Sequence, residues 1–293
     1  MPSSARAAPH LPTLNLIGAG RVAQTLASLW HAQGSFAVQD VLTTALHSAR
    51  SACSVIGAGQ AVEQMNTMRS ADIWLLGVPD AQLADCAQAL AQTAASSRTG
   101  ANRATTPIVF HCSGAQSTAS LAPLAALGWR VASAHCILSF TSVPSAIAQF
   151  PGTPCALEGD AMACATLRVA FSTLGARCFD VASRDKLLYH AAAVFATNFL
   201  PVLQATAEDL WQSTGVPADV IVHLRSALLR NAVANITALG PQAALTGPAA
   251  RGDMEAIARQ GAAVAAWDAP TGAAYEALSA LALRLAQRRP DAR

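Results

Sequence analysis

One short stretch near the start of the chain constrains its fold more than any other: Gly18-Ala19-Gly20-Arg21-Val22-Ala23. It comes after the apolar run Leu14-Asn15-Leu16-Ile17 and opens the segment RVAQTLASLWHAQG, residues 21–34. In that segment Val22, Leu26, Leu29 and Trp30 fall on one helical face, and Gly34 marks the stop. A strand, a glycine turn and a helix in this order fit the pattern G-x-G-x-x-G/A in the context it requires. Gly18 permits the tight turn, and Gly20 lets an anion approach bare backbone. Small Ala23 lets helix and strand pack closely. The free N–H groups of the helix start then face a pyrophosphate. The plainer alternative is a tight strand–helix turn with no ligand.

The pattern of the remaining chain supports the ligand-binding turn. Strands are expected at 36–44, 71–80, 107–115 and 129–138, separated by Ala-rich helical stretches, which is the alternation of a parallel sheet with crossover helices. The polar stretch 96–107 reads as a loop. Two more short strands, at 155–159 and 177–181, flank a helix and extend the sheet. From Ser183 onward only helical periodicity remains, broken at Gly215-Val216-Pro217, Gly240-Pro241 and Gly247-Pro248. The expected fold class is α/β: a Rossmann-type, mostly parallel sheet followed by an all-α C-terminal domain. The expected divisions are a flexible tail at 1–13, a dinucleotide-binding domain at 14–182 and a helical substrate and dimerisation domain at 183–293.

Composition narrows the partners. The 293 residues carry a formal net charge of +2, with 53% hydrophobic and only 12% charged residues. So balanced a charge disfavours nucleic acid or an anionic membrane as partner. The uncharged run 190–207 is the best membrane candidate, but His190, Asn198, Pro201 and Gln204 would be costly in hydrocarbon. Seven cysteines at scattered spacings include no CxxC pair, so neither a metal site nor a disulfide framework is expected, and the cytoplasm is the natural compartment.

The cofactor choice rests on the end of the second strand. A carboxylate there suits the ribose hydroxyls of NAD, whereas hydroxyls or cations suit the extra phosphate of NADP. Asp40 falls mid-strand and the strand ends in Thr43-Thr44, with His47, Arg50 and Arg21 nearby, so NADP is favoured over NAD. Val78-Pro79-Asp80 ends the next strand at the ligand edge of the sheet, with Asp80 a helix N-cap on the plainer reading. Ser113, after His111-Cys112, could approach the nicotinamide, and His135 could point the same way. In the helical half Ser183 reads as an N-cap. Lys186 and His190 lie four apart on one face, and Asn198 lies roughly 120° round from Lys186. Reduction of C=O or C=N needs a proton donor beside the hydride donor: Lys186 or His190 could serve, with Asn198 orienting the substrate. The plainer readings are a snorkelling lysine and structural histidines.

With these pieces placed, the chain resembles a family of Rossmann-like proteins, provisionally assigned as NADP oxidoreductases, whose C-terminal half is catalogued as a domain of unknown function. They belong to the 6-phosphogluconate dehydrogenase-like superfamily. The resemblance rests on IGAGRVA, WLLGVPDAQL, VFHCSGA, SAHCILSF, ALEGD, KLLYHAAAVFATNFL and LTGPAARGD, and spans roughly 14–290. It implies an N-terminal NADP domain and a helical domain that forms a homodimer. Related β-hydroxyacid dehydrogenases carry Lys-x-x-x-Asn on the first helix of the second domain. Here Lys186 matches, but His190 replaces the asparagine. Two functions stand side by side: an NADP-dependent oxidoreductase acting on a small carbonyl or imine compound, and a non-catalytic NADP-binding sensor or scaffold dimer. Arg251 and Asp253 could reach the substrate, or simply form a local ion pair and helix cap.

Overall fold

The computed structural model describes residues 11–96 and 106–288. The loop expected at 96–107 lies almost wholly outside them, as do the first ten residues of the expected tail. The chain alternates β1 (Thr13–Ile17), α1 (Arg21–Ala32), β2 (Ala37–Leu42), α2 (Leu46–Ile56), β3 (Gln60–Val62), β4 (Ile73–Leu76) and α3 (Leu83–Ser96). It continues through β5 (Ile108–His111), α4 (Ala122–Ala125), β6 (Arg130–Cys136), α5 (Val143–Gln149), β7 (Pro154–Gly159), α6 (Ala161–Thr173) and β8 (Arg177–Asp180). The rest is helical: α7 (Lys186–Ala193), α8 (Phe199–Ser213), α9 (Ala218–Ala244), α10 (Pro248–Arg251), α11 (Met254–Trp267) and α12 (Ala269–Ala286).

The strands form one sheet in the order β3-β2-β1-β4-β5-β6-β7-β8. All pairings among the described residues are parallel except that of β6 with β7, which is antiparallel. The order reverses between β1 and β4, the switch point where open sheets of this type hold ligands.

The central strands read as unbroken apolar runs because both of their faces are covered. Alternate residues serve the two faces. Leu14, Leu16, Ile73, Leu75 and Phe110 share one core with Trp30 and Phe171. Ile17, Trp74, Leu76 and Val109 share the other with Leu83, Leu90 and Leu124. Trp30 anchors the first core. It stands edge-on to Phe36 and Phe171, each at 5.1 Å, and its ring N–H donates to the Ala170 carbonyl at 2.9 Å.

Four local expectations are corrected. Thr13 belongs to β1, not to a tail, because its backbone N–H and its hydroxyl both donate to Asp72, each at 2.9 Å. Asp80 caps no helix: it opens a 3-10 turn and accepts a hydrogen bond from the Ser113 hydroxyl at 2.6 Å. Ser183 does not cap the lysine helix either. Its hydroxyl donates to Glu158 at 2.6 Å, and α7 begins at Lys186. Finally, the 120° placement of Asn198 presumed an unbroken α-helix. A π-helical turn spans Val194–Asn198 and adds a residue to that turn, which shifts the phase of everything beyond it.

The chain divides into two compact units, Met1–Val194 and Phe195–Arg293, so α7 falls in the unit that holds the sheet. The second unit is helical throughout its described elements, with a break at Gly240, whose φ of 78° lies in the left-handed region. Within it Asp253 caps α11 by accepting from the Ala256 N–H at 3.0 Å, and no ion pair to Arg251 occurs among the described residues.

Candidate functional site: a glycine-lined groove and a buried polar network

The turn after β1 is shaped by backbone crowding. Gly18 has φ +82°, and a Cβ there would come within 2.6 Å of the Gly77 carbonyl carbon. Gly77, in turn, sits against the Gly18 carbonyl and the Ala23 methyl. The two loops that leave β1 and β4 therefore cross at a pair of glycines, with Ala23 packed beneath. Gly20 differs: its φ of −70° is ordinary, and the nearest atom to a Cβ there would be 3.9 Å away. Gly20 is bare because of what it leaves open, not because of what it touches. It caps α1 with no side-chain hydrogen bond, and no acidic residue sits in the first turn. The N–H groups at that helix start are ready for an anion.

This turn forms the middle of a groove of about 980 Å³ along the carboxyl ends of β1, β2, β4 and β5. Every residue expected to hold a cofactor lines it: Gly18, Ala19, Gly20, Arg21, Val22, Ala23, Thr43, Thr44, Val78, Pro79, Asp80 and Ser113. Sequence reasoning did not place Ser48, Glu63, Met65, Gly77, Gln82, His111, Cys112 and Phe140 among the cofactor contacts, yet they line the groove too. Gly77, Gln82, His111, Cys112 and Phe140 lie inside the motifs quoted above, whereas Ser48 on α2 and Glu63 and Met65 after β3 belong to none.

The β2 end carries hydroxyls. Asp40, the acid at nearly the right distance, is turned inward and buried, held by the Arg69 guanidinium and its backbone N–H at 2.6 Å. Thr43 gives its hydroxyl proton to the Ala45 carbonyl at 2.7 Å. Glu63, just past β3, is a carboxylate beside this end, because Leu42 pairs with Val62 in the sheet. Arg21 lines the groove but spends one N–H on the Thr141 carbonyl at 2.8 Å. Arg50 is exposed on α2 and is not among the lining residues.

The other end of the groove abuts a polar network. Lys186, only 2% exposed, donates to the Ser113 carbonyl at 2.9 Å and to the Ser133 hydroxyl at 2.5 Å. Burial lowers its pKa, opposed by the nearby Glu158 charge. Two of its three protons are thereby committed to tying α7 onto the loop after β5 and the middle of β6. The ammonium thus serves as a buried strut and keeps one proton outside these two bonds. Ser113 is equally committed. Its hydroxyl donates to Asp80 and accepts from the Gln116 N–H at 2.9 Å, while its own N–H donates to His111 Nδ1 at 3.1 Å. The hydroxyl thus braces the loop after β5 rather than standing free for a nicotinamide.

His111 is fully buried. Because Nδ1 accepts from Ser113, the ring proton sits on Nε2, which faces the Ser117 carbonyl at 3.3 Å. Burial, with the Lys186 charge second, lowers its pKa to about 4. His135 is likewise held neutral, at about 4, by burial and then by His190 and Lys186. Its Nδ1 meets the Tyr189 hydroxyl at 2.8 Å, a partner the sequence reading missed. His190 lies beside His135, with ring centroids 5.6 Å apart, and its Nδ1 is buried without a hydrogen-bond partner. Both rings press on Gly114: a Cβ there would come within 2.9 Å of His135 Nε2 and closer still to His190 Nδ1. Thus Ser113, His135, Lys186 and His190 are brought together. Asn198 belongs to the second unit, where it is exposed and accepts from the Thr197 hydroxyl at 2.8 Å.

Comparisons with known proteins agree with this architecture. Residues 3–135 match the Rossmann-like domain and residues 153–282 match the domain of unknown function DUF2520. The chain therefore joins a Rossmann-like domain to a DUF2520 domain. Among solved structures, a protein from Bacteroides fragilis provisionally named an NADP oxidoreductase is 23% identical, with a TM-score of 0.69 over 94% of this chain and 98% of its own. A protein from Thermotoga maritima is 22% identical, with a TM-score of 0.71 over the same shares. The 1-pyrroline-5-carboxylate reductase of Streptococcus pyogenes is 14% identical, with a TM-score of 0.58 over 94% of this chain and 99% of its own. At these identities the likeness establishes the fold. No curated protein matches the sequence.

Proposed function

We propose that the protein is an NADP-dependent oxidoreductase acting on a small carbonyl or imine compound. The observation that carries this reading is Gly20: an unstrained position, open to a large groove, at the uncapped start of α1. No packing reason keeps a side chain away from it, whereas a pyrophosphate gives one. The groove's volume lies at the upper end of the range for cofactor sites. When bound, the nicotinamide cofactor supplies a hydride to the carbon of C=O or C=N, and the heteroatom takes its proton from solvent. Residues 18–23 hold the pyrophosphate. Thr44 and Ser48 offer hydroxyls to the ribose phosphate, Thr43 joins them only by releasing the Ala45 carbonyl, and Asp40 cannot take the ribose hydroxyls because Arg69 holds it. Glu63 opposes a phosphate there, so Glu63→Gln favours NADPH further over NADH.

The relatives' names support the class of reaction: one is provisionally an NADP oxidoreductase and another a pyrroline-carboxylate reductase. The test is a panel of small keto acids and cyclic imine acids, monitored by loss of NADPH absorbance. Turnover of at least one compound, with NADPH preferred over NADH, supports the proposal. A second reading, an NADP-binding sensor without turnover, is favoured by the commitment of Lys186 to structural contacts. It gains if NADPH binds and no compound in the panel oxidises it.

We infer further that the protein works in the cytoplasm as a homodimer. Leu187, Leu188, Phe195, Val202 and Leu239 are all more than half exposed. The helical run Ser183–Ser213 is also long and apolar enough to cross a membrane, by length and composition. A second copy is the better partner for these side chains, because Lys186, within that run, is buried against the sheet.

A further inference from the structure

The strongest unassigned feature of the molecule is the contact between Tyr189 and His135. Tyr189 stands on α7 and His135 on β6, and the hydroxyl meets Nδ1 at 2.8 Å with the rings edge-on. The hydroxyl has one proton to place, and Nδ1 is its sole hydrogen-bond partner among the described residues. Burial pushes the Tyr189 pKa up to about 12, so the phenol keeps that proton at neutral pH. A neutral imidazole has one donor nitrogen and one acceptor. With Nδ1 accepting from the phenol, the ring proton must sit on Nε2. That nitrogen faces Gly114, the residue directly after groove-lining Ser113. On the same glycine lies the buried Nδ1 of His190, a polar atom lacking a partner. Buried polar atoms are rarely left so.

We propose that Tyr189 is a positioning residue that fixes His135 as its neutral Nε2–H tautomer, and that this N–H is the hydrogen-bond donor to the oxygen or nitrogen of the substrate's C=O or C=N group. This rests on the oxidoreductase reading of the groove and adds the device that polarises the substrate there. His135 keeps its proton. It withdraws electron density from the C=O or C=N carbon and stabilises charge on the heteroatom as that charge develops, without first having to be protonated. A neutral ring is the right form at this position. The groups around it are the Lys186 ammonium and the His190 ring on α7 with the Asp80 carboxylate after β4, and the two bases disfavour a second positive charge while Asp80 opposes them only in part.

The full-length chain labelled with 15N-histidine tests this without any substrate. Wild-type His135 is expected to show an unprotonated Nδ1 and a protonated Nε2 at pH 7, and to stay neutral to about pH 5. Tyr189→Phe keeps the ring edge-on to Phe179 and removes only the hydroxyl. It is expected to spread the proton over both nitrogens and to raise the titration midpoint of His135. A wild-type His135 that carries its proton on Nδ1, or is doubly protonated at pH 7, overturns the proposal; so does a tautomer that Tyr189→Phe leaves unchanged. His135→Gln restores an N–H near the Nε2 position, so it should retain more of any NADPH-linked turnover than His135→Ala, with equal NADPH affinity in both. Failure of NADPH to bind at all would remove the oxidoreductase reading while leaving the tautomer result standing, so the two failures are distinguishable.

Discussion

Gly77 and Gly20 look alike in sequence and do opposite work, and substitution separates them. A Cβ at Gly77 would collide with the Gly18 carbonyl oxygen and the Ala23 methyl. Gly77→Ala should therefore cost about 1–3 kcal/mol, as overpacking does, read as a drop in the urea midpoint. Lys186 offers a second residue-scale test. Lys186→Met keeps most of the stem and removes the two bonds to the Ser113 carbonyl and the Ser133 hydroxyl. Leaving those two buried groups with only the long bond from the Ser133 hydroxyl to the Ser113 carbonyl, 3.4 Å, should cost about 1–3 kcal/mol and change NADPH affinity by less than about threefold. A variant as stable as wild type would show that the lysine is no strut. Of these residues, the 18–23 turn was legible in the sequence because its glycines answer to local rules of turn and helix start. Gly77 and Tyr189 were not, since each is defined by what another element brings against it. Lys186 was visible as a polar residue on an apolar face, but the identity of its partners is a tertiary fact.

At the scale of elements, the central strands were readable because burial on both faces leaves long apolar runs, and the helices because glycine and proline end them; β3, three residues with no buried position, was not. The π-helical turn at Val194–Asn198 was not readable: it has no composition of its own, and it voided the phase argument for Asn198. Where β5 and β6 end, two neutral histidines give the fold a pH dependence. The folded-state pKa values of His111 and His135 lie near 4, whereas the unfolded chain binds these protons near 6.5. Between those limits the unfolded state holds more protons, so stability rises with pH. It should be complete above about pH 7 and fall from about pH 6.5 toward pH 4, by up to about 1.4 kcal/mol per unit for each histidine. Urea midpoints at pH 7.5, 6 and 5 check this. A flat profile would mean that neither ring is held neutral.

For the whole molecule, the proposed homodimer has a direct readout. Light scattering should give twice the chain mass, and Leu188→Glu, at a site 77% exposed, should give the monomer with an unchanged circular dichroism spectrum. A wild-type monomer at micromolar concentration would contradict the dimer. Expectations at this scale came from the family resemblance and not from periodicity, because a helix that faces a second copy reads like one that faces a core. The central claim, that the groove holds a dinucleotide on bare backbone at residue 20, has a direct measurement: a fluorescence titration of NADPH against wild type and Gly20→Val, with ATP as the competitor. A side chain there meets no packed atom, so the fold should stand, while the pyrophosphate loses its approach. The account predicts NADPH binding tighter than ATP in wild type and weakened at least about tenfold, or about 1.4 kcal/mol, in the variant. Equal NADPH affinity in the two proteins, or binding no tighter than ATP, would contradict it.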